Sequence, residues 1–386
     1  MSNRVNPDLL LNLKEYGAVG AEICFNCGNC TAVCPLTSDE HPFPRNMIRL
    51  AQLGLEEKIM QSTDPWLCYY CGDCAQSCPR QAEPGETMMA LRRWLTAQYD
   101  RSGHGARLYT SEKAVAWTII RLSLVTLAAF VLYHAVTGFQ NIPTDHVALN
   151  TFAPVMLVWA LVWLHGLYLG YRMLSGVFSM ARTVMAPITA ETKVPPRLYL
   201  AEFKTLAVHF LTQKRWRACG ADHSRWLKHL LLVSGYVTML VLVLGFLWWF
   251  QTDNIYPLWH PQRWLGYYAT IVLLYASGEA LYGRIQKKEQ LHRFSHPTDW
   301  LFPSFILTGA VTGILVHIFR YAGWPWPTYF IYVIHVMAMI AMLDTEVGIG
   351  KWAHLFYRPL AIYLEAVKAR VRQEQLEPVF TPAGTD

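Results

Sequence analysis

The sequence predicts an all-α protein in two parts, a short cysteine-rich helical domain followed by a bundle of six membrane-spanning helices. Three observations carry that expectation. Apolar residues make up 53% of the 386-residue chain and gather in long blocks after about residue 114, which is too apolar for a pair of soluble domains. Eight of the nine cysteines fall into two compact runs between Cys24 and Cys78. Between those runs, Pro44 to Lys58 places Met47, Ile48, Leu50 and Leu53 at mixed three- and four-residue spacing, the period of a helix rather than of a strand.

Taken in order, residues 1–100 form the first domain, polar and interrupted by Pro35, Pro42, Pro44, Pro65, Pro79 and Pro84. The opening residues lack an apolar stretch of signal-peptide length, so the start is expected to stay unexported, in a reducing compartment. Residues 101–113, with Gly103 and Gly105, read as a linker. The membrane domain, 114–348, holds spans at about 114–138, 149–173, 227–250, 264–284, 299–321 and 328–347, each close to the roughly 20 residues a bilayer core demands. A loop at 174–226 carries basic residues including Arg182, Arg197, Arg215, Arg217 and Arg225; Lys287, Lys288 and Arg293 follow the fourth span, and a tail at 349–386 adds Lys351, Arg358 and Lys368. The alternate loops contain only Arg263. The positive-inside rule then sets both termini on the cytoplasmic side of the inner membrane. It also accounts for the net charge of +6 better than nucleic-acid binding does.

The first cysteine run is Cys24-x2-Cys27-x2-Cys30-x3-Cys34 followed by Pro35, and the second repeats it as Cys68-x2-Cys71-x2-Cys74-x3-Cys78 followed by Pro79. This spacing suits a four-iron, four-sulfur cube: three closely spaced thiolates hold one cluster, and the fourth, before proline, reaches the neighbouring cluster. Two [4Fe-4S] clusters are expected, one on Cys24, Cys27, Cys30 and Cys78, the other on Cys68, Cys71, Cys74 and Cys34. Structural zinc also takes four cysteines, but usually as two separated pairs. Gly28 and Gly72 suit the tight turns, and the helical pattern between the runs points to an α-helical ferredoxin. Cys219 stands alone and reads as an ordinary thiol.

The spans contain His134, His165, His229, His317 and His335, with His354 just past the last. Imidazoles are costly in hydrocarbon, and two facing histidines can clamp a haem iron. Depth along the spans, at roughly 1.5 Å per residue, pairs His229 with His354 for an inner haem b and His335 with His317 for an outer one. His134 rivals His317, and His165 fits the outer position less well. A quinone site needs polar groups open to water, for which Arg121, Glu279, Asp344 and Glu346 are candidates.

The segments CFNCGNCTAVCP, HPFPRNMIRLAQLG and WLCYYCGDCAQSCP resemble the iron–sulfur C subunit of heterodisulfide reductases, and the spans resemble the γ subunit of respiratory nitrate reductases and the E subunit of heterodisulfide reductases. The two joined are similar to the membrane subunit of the quinone-interacting membrane-bound oxidoreductase (Qmo) family. The resemblance implies two haems b and menaquinone as substrate. It also implies soluble flavin and iron–sulfur partner subunits, Qmo A- and B-like, with adenylylsulfate reductase downstream in sulfate reduction. The γ-subunit pattern matches His335 and His354 on the last span and His229 on an earlier one, but Met239 stands where the other outer ligand falls. Gly348 and Gly350 could break the helix between His335 and His354. The expected function is an electron-transfer subunit of a membrane oxidoreductase, incomplete as an enzyme alone. A heterodisulfide reductase-type subunit and a haem-free ferredoxin anchor are the alternatives.

Overall fold

Every regular element among the described residues is a helix. The computed structural model describes residues 4–39, 41–214, 223–287 and 289–380, so Cys219, Arg215, Arg217 and Lys288 lie outside the described residues. The early helices are α1 (Leu9–Glu15), α2 (Asn29–Ala32), α3 (Arg45–Gln52), α4 (Glu56–Gln61), α5 (Asp64–Leu67), α6 (Asp73–Gln76), α7 (Pro84–Tyr99) and α8 (His104–Thr110). Next come α9 (Glu112–Thr137), α10 (Leu149–Phe152), α11 (Val155–Glu191), α12 (Pro196–Ala201), α13 (Phe203–Thr212), α14 (Ser224–Gly245) and α15 (Leu247–Phe250). The last are α16 (Pro261–Gln286), α17 (Gln290–Arg293), α18 (Thr298–Tyr321), α19 (Pro325–Glu346) and α20 (Ala353–Phe380).

The chain divides into two compact units. The first gathers Met1–Thr110, Met173–His223 and Trp352–Asp386. It therefore unites the cysteine-rich domain with segments read from sequence as loop and tail. Its core joins Leu9, Leu13, Met47, Ile48, Ile59, Leu91 and Leu95 to Met180 and Val184 of α11 and to α20. On α20 the buried positions Tyr357, Ala361, Leu364, Val367 and Val371 recur every three or four residues, the stripe by which a helix packs against a core.

Two local expectations change. The helix expected over Pro44 to Lys58 is two helices, α3 and α4, because Gly54 turns left-handed (φ 68°) and its carbonyl accepts a hydrogen bond from the Asn6 backbone N–H (2.8 Å). A Cβ at Gly54 would fall 2.1 Å from the Asn6 carbonyl oxygen, so the break depends on glycine. The stretch 101–113, expected as a linker, carries α8. Asp100 nucleates the turn before that helix by accepting from the backbone N–H groups of Ser102 (3.0 Å) and Gly105 (2.7 Å).

The second unit joins Ser111–Arg172 with Ser224–Lys351. Among the described residues five helices are long and apolar enough to cross a membrane: α9, α11, α14, α18 and α19. The expected fourth span forms α16, which is 26 residues long, but Tyr267, Tyr268, Tyr275, Tyr282 and Glu279 make it less apolar than the other five. Neighbouring helices pack in the order α14, α16, α18, α19, α9. The second expected span does not end near residue 173 but runs on to Glu191, through Gly176 and Pro187. The part of α11 up to Arg172 meets its neighbours in this unit through long side chains: Trp159 and Trp163 donate to the Leu244 carbonyl (2.7 and 3.1 Å), and Arg172 reaches α19. After Glu346 the chain turns at Gly348 (φ 79°) before α20 starts.

Candidate functional site

The two cysteine runs are backbone copies of one another. Asn26 and Tyr70, each two residues after the first cysteine of its run, are left-handed (φ 59° and 58°), and Gly28 and Gly72 follow at φ 94° and 96°. Such a conformation is free for glycine and strained for tyrosine. It turns backbone N–H groups onto the thiols: Asn26 donates to Cys24 Sγ (3.4 Å) and Tyr70 to Cys68 Sγ (3.3 Å). After each glycine a one-turn helix, α2 or α6, carries the third cysteine.

The thiols gather as two adjacent quartets. Cys30 interacts with Cys24, Cys27 and Cys78. Cys34 interacts first with Cys68 and Cys71 and then with Cys30, and Cys74 with Cys68 and Cys71 and then with Cys30 and Cys34. Cys34, Cys68, Cys71 and Cys74 line one cavity together with Phe43 and Met88. Burial pushes the thiols of Cys30, Cys68, Cys71 and Cys74 upward and that of Cys34 up to about 11. Metal ligation reverses this cost by supplying positive charge to the thiolate. Four thiols lining one cavity suit a [4Fe-4S] cube, which takes four thiolates.

The second quartet is braced by two arginines. Buried Arg92 of α7 donates through Nε to the Pro65 carbonyl (2.5 Å) and through Nη2 to the Trp66 (3.4 Å) and Cys68 carbonyls. Arg358 of α20 donates to the same Trp66 and Cys68 carbonyls (2.9 and 2.8 Å) and stacks 4.9 Å over Tyr69. Burial, with Arg358 adjacent, lowers the Arg92 pKa to about 9, which leaves it charged at neutral pH. Trp66 packs on Tyr357 (4.9 Å), and Thr63 Oγ1 donates to Glu365 (2.7 Å). Sequence reasoning does not reach Arg92 or Arg358. The pair Arg92–Arg93, inside the otherwise apolar second half of α7, is the signal that points to the first of them.

The histidines of the second unit have distinct surroundings. His317 Nε2 bonds with the Tyr267 hydroxyl of α16 (3.1 Å), whereas His335 Nδ1 bonds with Thr312 Oγ1 of α18 (2.9 Å). The two rings of the expected outer pair are thus engaged by different helices. His134 lies against Phe152 with the rings tilted (centroids 4.7 Å apart). The Nε2 atoms of His134 and His165 are buried without a hydrogen-bond partner. His229 belongs to the second unit, on α14, and His354 to the first, on α20.

The four quinone-site candidates also separate. Arg121 is exposed, and exposed Glu279 pairs with Lys228. Asp344 and Glu346 are buried at the end of α19. Arg172 binds Asp344 Oδ1 (3.2 Å) and donates to the carbonyls of Asp344 (3.0 Å) and Val347 (3.2 Å). Glu346 Oε2 accepts from the Lys351 backbone N–H (2.6 Å), while the Lys351 ammonium pairs with Asp299. Arg172 joins this charged cluster although nothing in the sequence singles it out.

Paired thiol quartets ahead of long apolar helices define an iron–sulfur electron-transfer domain carried on a chain with membrane-spanning helices. Residues 20–82 match the 4Fe-4S dicluster domain family. The chain is 34% identical over 88 residues to a protein of Archaeoglobus profundus that is named for its likeness to the C subunit of heterodisulfide reductase, an alignment covering 22% of this chain and 47% of that relative. The chain thus spans about half the length of the curated relative it matches. No solved structure matches the chain.

Proposed function

We propose that this protein is the membrane subunit of a multi-subunit oxidoreductase that exchanges electrons between menaquinol and cytoplasmic flavin and iron–sulfur subunits, as in the Qmo family it resembles. The observation that carries the proposal is a 4Fe-4S dicluster match at residues 20–82 ahead of helices long and apolar enough to cross a membrane; Cys34 lining one cavity with Cys68, Cys71 and Cys74 supports the proposed exchange of the fourth cysteine. When bound, two [4Fe-4S] clusters and two haems b would supply the one-electron exchange that a two-electron quinol requires. Adenylylsulfate reductase is the proposed downstream acceptor.

In this reading α16 is the fourth of six spans, the membrane is the inner membrane, and both termini lie on its cytoplasmic side, in line with the basic loops. His229 with His354 and His335 with His317 or His134 are the proposed haem ligands. Thr312 supports His335 in that role, because a hydrogen bond at Nδ1 fixes the ring and leaves Nε2 for iron. The unpartnered Nε2 atom of His134 supports it as the rival outer ligand. Asp344 and Glu346 are the proposed proton-handling groups, and Arg172 fixes the position of Asp344.

The name of the Archaeoglobus relative favours a second reading, the iron–sulfur subunit of a heterodisulfide reductase-type complex. One experiment separates them. The purified full-length protein, anaerobic and oxidised, should show b-type absorption bands and two iron–sulfur signals that become reduced on adding a menaquinol analogue. A cluster-loaded protein with no haem bands and no response to quinol would overturn the conduit reading.

A further inference from the structure

We infer that Arg358 sets the reduction potential of the cluster held by Cys34, Cys68, Cys71 and Cys74, which makes the C-terminal helix α20 part of the redox apparatus as well as a brace. The inference rests on the reading that these thiols hold a cluster. It starts from a difference between two otherwise copied loops. At the first loop the Cys24 carbonyl accepts from the neutral side-chain amide of Gln52 (2.7 Å). At the second, the corresponding Cys68 carbonyl accepts from two guanidiniums, Arg92 and Arg358. Cys68 itself is buried, as is Arg92, and Arg358 is half-buried, so water screens these charges poorly.

Reduction adds one electron, and hence one negative charge, to a cluster already surrounded by four thiolates. Net charge and hydrogen bonding near the sulfurs are the levers by which a protein tunes that step. A guanidinium fixed on the ligand loop favours the reduced form. Arg92 comes from α7, inside the cysteine-rich segment, whereas Arg358 lies 290 residues along the chain from Cys68. Arg358 is a positioning residue: it acts on the cluster through the Cys68 peptide.

The test is an anaerobic redox titration of the full-length, detergent-solubilised protein followed by electron paramagnetic resonance, with iron counted per chain. The second cluster is identified by the signal that changes in Cys71→Ser. Arg358→Met is expected to lower the midpoint of that cluster by about 59 mV, a tenfold change in a one-electron equilibrium, and to leave the other in place. Arg358→Lys, which keeps the charge, should recover most of the shift. Unmoved potentials in a fully loaded Arg358→Met protein, equal shifts of both clusters, or an Arg358→Lys protein as low as Arg358→Met would each overturn the inference. If Arg358→Met loses iron, the potential of Arg358→Lys decides: near wild type supports the inference, and a full tenfold fall overturns it. Wild-type protein without iron–sulfur signals would instead defeat the cluster reading itself.

Discussion

A guanidinium removed from water needs compensation, and Arg172 finds it in the Asp344 carboxylate and two carbonyls at the end of α19. Both side chains are nearly enclosed, at 8% and 9% exposure. Arg172→Ala would strand a buried carboxylate, at a cost of about 3–5 kcal/mol. The measurement is thermal unfolding in detergent, where the variant should melt well below wild type and the double variant Arg172→Met, Asp344→Asn should recover part of the loss. Equal melting of Arg172→Ala and wild type would mean that the pair contributes nothing. Asp344 and Glu346 were legible as candidates because they interrupt an apolar run. Their partner was not, since 172 residues separate Arg172 from Asp344 and nothing in local spacing links them.

At the scale of elements, the cysteine loops were the most legible part of the chain because their geometry is local: thiol, left-handed residue and glycine all fall within five positions. The proposed exchange of the fourth cysteine has a consequence for double variants. Cys34→Ser with Cys71→Ser should damage one cluster and leave about four irons per chain, whereas Cys34→Ser with Cys27→Ser should damage both, as counted by iron analysis and by electron paramagnetic resonance. Equal loss in the two double variants would defeat the pairing. The break between α3 and α4 has its local signal in Gly54, but the Asn6 backbone that packs against that glycine was not legible. The role of α20 was hidden too: its apolar stripe is interleaved with Arg358, Glu365 and Lys368, so composition reads as a charged tail. Leu364 sits in that stripe at 2% exposure. Leu364→Ala should cost about 2–5 kcal/mol. It should lower the temperature at which cluster absorbance is lost, and an unchanged temperature would mean that α20 adds no stability to the cluster-bearing unit.

Over the whole molecule, helical class and apolar spans could be read from composition and period, because a bilayer imposes length and apolarity on each crossing. The membership of the compact units could not. The chain passes between them after Thr110, Arg172, His223 and Lys351, and only tertiary packing decides which side of such a passage a segment joins. The first unit is therefore discontinuous, with its last segment among the final residues of the chain. Seen from the ribosome, this is a problem of timing. The eight cysteines emerge early, but Arg358 and the stripe of α20 emerge only after every membrane helix. At about 5–20 residues per second, the interval between Thr110 and Arg358 is on the order of ten to fifty seconds. During that time the ligand loops lack one of the two arginines that hold the Cys68 peptide, so final locking of the second quartet must await the emergence of α20.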